Sequence, residues 1–392
     1  MLFSQGNTDC KPIEVMYDES RFEILNNHID RIISDGEILC ASYCITRKGK
    51  VIAHNGIGKQ SYREDDNRTV PFNAIHYIAS ITKVFTAVAI MKLVEDGKLR
   101  LDQPVCEFLQ QFKNAPFNAI TVFDLLTHTS GMHPDTACFP NEPTINVWDL
   151  IETQYKQHNK DDGEFDWIAA ALTNGVRMEP AKEWAYCSFG FVILGAVIEK
   201  ITGIKAEKYI EDYITKPLGM NDTTFNLDKT DKSRWIVQRE HWYDRLNGKD
   251  DDENAELWSR IPETGGGLYS TAYDLTLFGR CMMNKGTLNG VRILGKKAAE
   301  KMTTLAIHNV PDYCWGAKTK SRGYGIGFDM RNGPAFTFSE GTFNHEGAGA
   351  CSLYIDPHEE LVAAWFVPYR DDGWHPNAMW NVQNIIWSGI IE

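Results

Sequence analysis

The sequence predicts an α+β fold of the α/β-sandwich kind. One antiparallel sheet is built from both termini and flanked by helices, with a mainly helical lobe inserted between. Three observations predict it. Strand-like alternation is concentrated near the start of the chain and again near its end. Helical periodicity dominates the middle, roughly 105–262, and an amphipathic helix stands towards each end.

In chain order, residues 1–19 read as a short polar leader. Residues 20–35 (SRFEILNNHIDRIISD) place Phe22, Ile24, Leu25, Ile29, Ile32 and Ile33 near a helical period. ILCASYCITRKGKVIAHNGIG then alternates about a Lys-Gly turn, which predicts a strand hairpin. Residues 81–96 are helical, with Gly97 as the C-cap. ITVFDLLTHT, FDWIAAALTNG and FGFVILGAVIEKITG follow as helices, the last nearly apolar and so buried.

The run Gly265-Gly266-Gly267 predicts a tight turn, with Ser270 or Thr271 capping an amphipathic helix that sends Met282 and Met283 to the core. YGIGFDMR, AFTFSEG, FNHEGAGACSLYIDP and LVAAWFVPY read as strands, and a closing helix follows Pro376. The expected division is a leader (1–19) and a single domain (20–392). Its α/β lobe takes about 20–104 and 265–392, its helical lobe about 105–264, and the cleft between lobes is a natural site.

Composition excludes several classes. The 392 residues are 43% hydrophobic, enough for a large core, and the net charge of -13 argues against a nucleic-acid partner. The densest charge run, GKDDDENAE (248–256), is acidic and reads as a solvated loop. No apolar stretch is long enough for a membrane span, and the N-terminus lacks the basic and apolar regions of a signal peptide. Nine cysteines without a C-x-x-C pair suit free thiols of a reduced compartment. The expectation is a cytoplasmic protein with no membrane partner; nothing in the sequence assigns an oligomeric state.

There is no G-x-S-x-G elbow and no H-E-x-x-H. GVRILGKK (290–297) nearly fits a phosphate loop, but Lys297 stands where a magnesium-binding hydroxyl is needed. Neither a cofactor nor a metal is expected.

HYIASITKVF (76–85) places Ser80 three residues before Lys83 at the start of an apolar helix. That spacing puts both side chains on one face. The helix N-terminus favours negative charge near Ser80, and burial would lower the lysine pKa so that it could accept the serine proton. Ser80 as an N-cap with Lys83 reaching solvent fits the same local pattern. Two further stretches bear on the choice. Tyr186 immediately precedes a buried helix, and His345-Glu346-Gly347 lies on a strand rich in small residues that a substrate backbone could approach.

IASITKVFTAVAIMKLVEDGKLRLDQPV, ITVFDLLTHTSGM, EPAKEWAYCSFGFVILGAVIEKITG, YITKPLGMNDTTF and GGGLYSTAYDLTLFG occur in this order along about 20–390. Together they resemble the serine β-lactamase-like and penicillin-binding superfamily, especially its class C β-lactamase, family VIII esterase and DD-peptidase branch. The resemblance implies a β-lactamase/transpeptidase-like fold. It implies Ser80 as acylating nucleophile, Lys83 as its proton acceptor or electrostatic activator, and Tyr186 as the phenol or phenolate that passes a proton to the leaving group. His345 falls on the third motif, where it would orient a substrate carboxylate or hydrogen-bond Tyr186. The backbone N–H groups of Ser80 and Ala348 would form the oxyanion hole.

Ser188, Glu346 and Gly347 fall at substrate-binding positions. Two of these motifs depart from the family pattern. Ser188 replaces the asparagine of Tyr-x-Asn and reaches less far, and His345 replaces the lysine of β-lactamases. Strand alternation would send Glu346 outward to solvent. His128 and Ser130 have the spacing of a dyad but fall on a structural turn of the family. Trp242, Tyr243, Trp258 and Trp374 are candidate pocket aromatics.

The implied function is a serine hydrolase that forms an acyl-enzyme on an ester or amide carbonyl, carboxylesterase-like in preference. The partner would be a small-molecule ester, amide or lactam. A β-lactamase or D-amino-acid peptidase or amidase is the alternative, and a non-turnover penicillin-binding sensor is a rival of another class.

Overall fold

The computed structural model describes residues 2–391 apart from 143, 144, 160, 162, 248–252, 332 and 372, and apart from the side chains of 242 and 243. Most of the acidic run thus lies outside the described residues, as do the side chains of Trp242 and Tyr243.

The strands are β1 (Phe3–Gln5), β2 (Cys40–Arg47), β3 (Lys50–Gly58), β4 (His76–Tyr77), β5 (Tyr269–Ser270), β6 (Thr287–Leu288), β7 (Val291–Arg292), β8 (Phe343–Gly347), β9 (Cys351–Asp356) and β10 (Leu361–Phe366). Six form one antiparallel sheet in the order β1-β3-β2-β10-β9-β8. The β2–β3 hairpin turns at Lys48-Gly49, both with positive φ, a conformation that glycine adopts without penalty. Strand β10 joins the two ends of the chain, its register setting Leu361 opposite Arg47 and Phe366 opposite Ser42.

The helices are α1 (Ser20–Ser34), α2 (Thr82–Glu95), α3 (Val122–Leu126), α4 (Val147–Gln157), α5 (Trp167–Leu172), α6 (Ser188–Thr202), α7 (Ala206–Ile210), α8 (Glu240–Leu246), α9 (Ala255–Trp258), α10 (Ala272–Met283), α11 (Lys296–Met302) and α12 (Val382–Trp387). Alternation along β10 explains the layering. Val362, Ala364 and Phe366 enter the core shared with α2, α6 and α10. Leu361, Ala363 and Trp365 face the opposite core, built with α1 and α12. The sheet is therefore covered on both sides, which makes it the filling of an α/β sandwich. Thr271 caps α10 by accepting from Asp274 N–H, and Met282 is buried. Between α2 and β5 the described residues form helices α3 to α9 and contribute no strand to the main sheet.

Two sequence expectations need correction. The leader carries structure of its own: Phe3, Ser4 and Gln5 pair with Ile57, Gly56 and Asn55, and Tyr17 is fully buried. YGIGFDMR and AFTFSEG form no ladder. The first is tied to the sheet only by a bridge from Asp329 to Asn344, while Tyr324, Ile326 and Phe328 are buried without strand partners. In the second, Phe336 and Phe338 stack at 4.9 Å and pack against Trp380 and Trp387, so ring packing rather than strand pairing uses the alternation.

Candidate active site

Ser80 sits on a single 3₁₀ turn (Ala79–Ile81) that runs into α2. Ala79, immediately before it, has a φ of 43°, a left-handed conformation that costs an L-residue energy. Neither this turn nor α2 has a side-chain N-cap bond, so Ser80 does not serve as a cap.

Lys83 does not reach solvent either; its relative exposure is 0%. Its Nζ donates to Ser80 Oγ at 2.9 Å and to the Gly265 carbonyl at 2.6 Å. Burial holds its pKa down to about 8, with Asp135 acting in the opposite sense. The ammonium also lies 4.9 Å from the centre of the Tyr186 ring.

The glycine run is brought to Lys83 by a zipper of bonds. Strand β5 pairs with β4, Ile78 N–H donates to Leu268 O, Leu268 N–H to Thr82 Oγ1, and Thr86 Oγ1 to Thr264 O. The anchoring carbonyl of Gly265 is a backbone group, and no side-chain pattern could have announced it.

Tyr186 lies on the irregular stretch before α6. His128 supports it from below, their ring centroids 4.3 Å apart, and accepts a hydrogen bond from Cys187 N–H at its Nδ1. His128 is buried at 1% exposure, and Ser130 Oγ accepts from Met132 N–H within the turn, so the apparent dyad serves the turn and the floor beneath Tyr186. Burial raises the Tyr186 pKa well above the ordinary value, with Ser80 acting in the opposite sense. At neutral pH it is a phenol.

His345 is buried on β8 with its ring 6.4 Å from that of Tyr186. Its Nδ1 lies 2.7 Å from the Glu346 carbonyl, which can only accept, so Nδ1 carries the proton and Nε2 is an acceptor. Burial, assisted by Lys83, lowers its pKa to about 4. A neutral imidazole is not a cationic clamp for a carboxylate. Glu346 points to the other face of β8. It faces neither solvent nor the Ser80 side, because Tyr354 donates to it at 2.7 Å and Arg331 stands 3.9 Å away.

Gly347 is where β8 meets the Ser80 segment: a Cβ there would lie 2.3 Å from Ile78 O. Only glycine permits that approach. The turn beyond it is sewn to the same segment by His76 Nε2 on Gly349 O at 2.6 Å and Cys351 Sγ on Ile78 O at 3.2 Å. Ala348 lies exposed in that turn.

Ser188 departs furthest from its expected role. Its hydroxyl and its N–H donate to Asp135 at 2.5 and 2.7 Å, and Asp135 N–H donates back to Tyr186 O at 2.9 Å. Asp135 was not singled out by sequence; it stands in a loop without a motif, and only the fold sets it beside Ser188. The remaining aromatics lie elsewhere. Trp258 packs on Trp148, while Trp374 is exposed against Tyr369 and Trp380.

Behind Tyr186, Trp184 is sandwiched by Arg322, whose guanidinium lies 4.0 Å from the ring centre and pairs with Asp312 at 2.9 Å and Asp329 at 2.6 Å. Removing one member of such a buried network strands the others. Arg322→Met is expected to lower the unfolding free energy by about 3–5 kcal/mol in urea titration; a loss below about 1 kcal/mol would contradict a structural role for the network.

A family model described as Beta-lactamase matches residues 25–376. The chain is similar to Protein Rv1367c of Mycobacterium tuberculosis (strain ATCC 25618 / H37Rv), 26% identical over 88% of this chain and 89% of that protein. It is similar to a protein of Salmonella heidelberg (strain SL476) provisionally named a D-alanyl-D-alanine carboxypeptidase, 26% identical over 74% of this chain and 68% of that one. Among solved structures it resembles EstCE1, a hydrolase with promiscuous acyltransferase activity. The TM-score is 0.72 at 18% identity, covering 96% of this chain and 99% of that one, a likeness of fold alone.

Proposed function

Because the chain belongs to the Beta-lactamase family, we propose that it is a serine hydrolase that forms an acyl-enzyme on ester or amide carbonyls, with a carboxylesterase-like preference. The observation that carries this reading is a fully buried lysine amine 2.9 Å from the Ser80 hydroxyl. In its neutral form Lys83 still donates to Gly265 O, and its lone pair is then directed at the Ser80 proton.

Ser80 Oγ attacks the carbonyl carbon as its proton passes to Lys83 Nζ. The oxyanion is met by the N–H groups of Ser80 and Ala348. Collapse breaks the bond to the leaving group, which takes a proton from the Tyr186 phenol, and Lys83 reprotonates Tyr186. Water then attacks the acyl carbon, releasing the acid and restoring the serine.

Two features favour esters over β-lactams and D-Ala-D-Ala peptides. His345 is neutral and offers no fixed charge to a substrate carboxylate, and Ser188 is occupied with Asp135. Nine free cysteines, seven of them buried, support a reducing, cytoplasmic setting. No helix among the described residues is long and apolar enough to cross a membrane. The test is a panel of p-nitrophenyl butyrate, D-alanine p-nitroanilide and nitrocefin. The butyrate is expected to be turned over with the higher kcat/KM of the first and last, and a nitrocefin rate above it would overturn the esterase reading.

A further inference from the structure

Asp135 is set apart from the other carboxylates around the site. Asp329 is paired with Arg322 and Arg331, and Glu346 faces Arg331 and the Tyr354 hydroxyl. Asp135 is instead met by the N–H and O–H of Ser188, which carry no charge, so its negative charge is not cancelled where it stands. Those two bonds also fix the carboxylate alongside Tyr186 and Ser188 at the start of α6. Asp135 N–H bonds the carbonyl of Tyr186, whose ring lies 4.9 Å from the Lys83 amine, and its charge acts on both Lys83 and Tyr186.

The position has a direction too. The 3₁₀ turn after Asp135 (Thr136–Cys138) packs on the turn Cys314–Gly316, which presents Trp315 half exposed with its ring 5.4 Å from Tyr186. A fixed carboxylate before one turn and a half-exposed ring on the turn packed against it suit a cation, by charge and by cation–π attraction. Lys83, the cation on which Asp135 acts, must be neutral before it can accept the serine proton.

We propose that Asp135 makes this site select acyl donors that carry a protonated amine on the acyl side, such as α-amino esters. The inference rests on the acyl-enzyme reading above and assigns its substrate class. Asp135 acts here as a specificity determinant and takes no proton in the reaction. A purely structural Asp135, tying down the start of α6, would act through its bonds to Ser188 and would leave amine selectivity unaffected by loss of its charge.

The test uses the full-length protein with four benzyl esters: alanine and N-acetylalanine esters, butyrate, and the monoester of succinate. Wild type is expected to prefer the free-amine alanine ester over its N-acetyl counterpart by about tenfold or more in kcat/KM, and butyrate over succinate. Asp135→Asn, whose Oδ1 can still accept from Ser188 N–H while its Nδ2 donates to Ser188 Oγ, is expected to lose the first preference, and Asp135→Glu to keep it. Butyrate turnover that proceeds without amine preference, or a preference unchanged in Asp135→Asn, would overturn the charge assignment and leave the hydrolase reading standing. If no ester is hydrolysed, both fall. The butyrate-to-succinate ratio needs only wild type, so a variant that fails to fold does not protect the proposal.

Discussion

Ser80→Ala is expected to lower kcat/KM on p-nitrophenyl butyrate by at least about 10³-fold, with no covalent labelling by a fluorophosphonate. The size follows from the division of labour in the site. An oxyanion hole and binding groups can remain in the variant, but among the described residues no other hydroxyl bonds Lys83, whose second partner is a backbone carbonyl. Intact-mass spectrometry should show one adduct on wild type and none on the variant. Full activity in Ser80→Ala would remove the nucleophile from the mechanism altogether.

Lys83→Met should be nearly as damaging, about 10³-fold or more in kcat, because among the described residues no other amine bonds Ser80. The wild-type pH profile gives an independent reading of the same group. Only the neutral amine can take the serine proton, so kcat/KM should rise with pH through about 8 and level off above it. His345, already neutral above about 4, should leave no inflection between 5 and 7.

The same substitution has an opposite effect on stability. A lysine whose folded pKa is lowered to about 8 binds fewer protons in the native than in the unfolded state. The penalty is full below about 8 and is relieved as pH rises towards the ordinary lysine value. It amounts to about 3 kcal/mol, partly offset in the variant by the unsatisfied Gly265 carbonyl. Lys83→Met is therefore expected to be about 1–2 kcal/mol more stable than wild type at pH 7, with the gain shrinking at pH 10. A variant that is both inactive and less stable at pH 7 would contradict the cost assigned to the buried amine.

Much of this site was legible in the sequence because its parts are local. Ser80 and Lys83 meet through the geometry of one helical turn, and the hairpin and α10 announce themselves by a Lys-Gly turn and a threonine cap. What was not legible comes from elsewhere in the chain. Gly265 contributes a carbonyl, which every residue has. Asp135 reaches Ser188 from another loop, and the bonds that commit the serine hydroxyl exist only in the fold. The strands expected at 324–331 and 335–341 show the complementary failure. Alternating burial is common to strands and to irregular segments pressed on a core, and only a partner with a free edge tells them apart.

The placement of β10 has a consequence for how the chain becomes a protein. β2 and β3 are made early and can close as a hairpin, but the other edge of β2 waits for residues from the far end of the chain, Leu361 to Phe366. Throughout synthesis that edge, in a strand destined to be wholly buried, is an unpaired template for any neighbouring strand. Completion of the sheet should therefore be slow and must await synthesis of β10, with loop closure between β2 and β10 as its entropic bottleneck. The native centre of the sheet is the last part of it that can form.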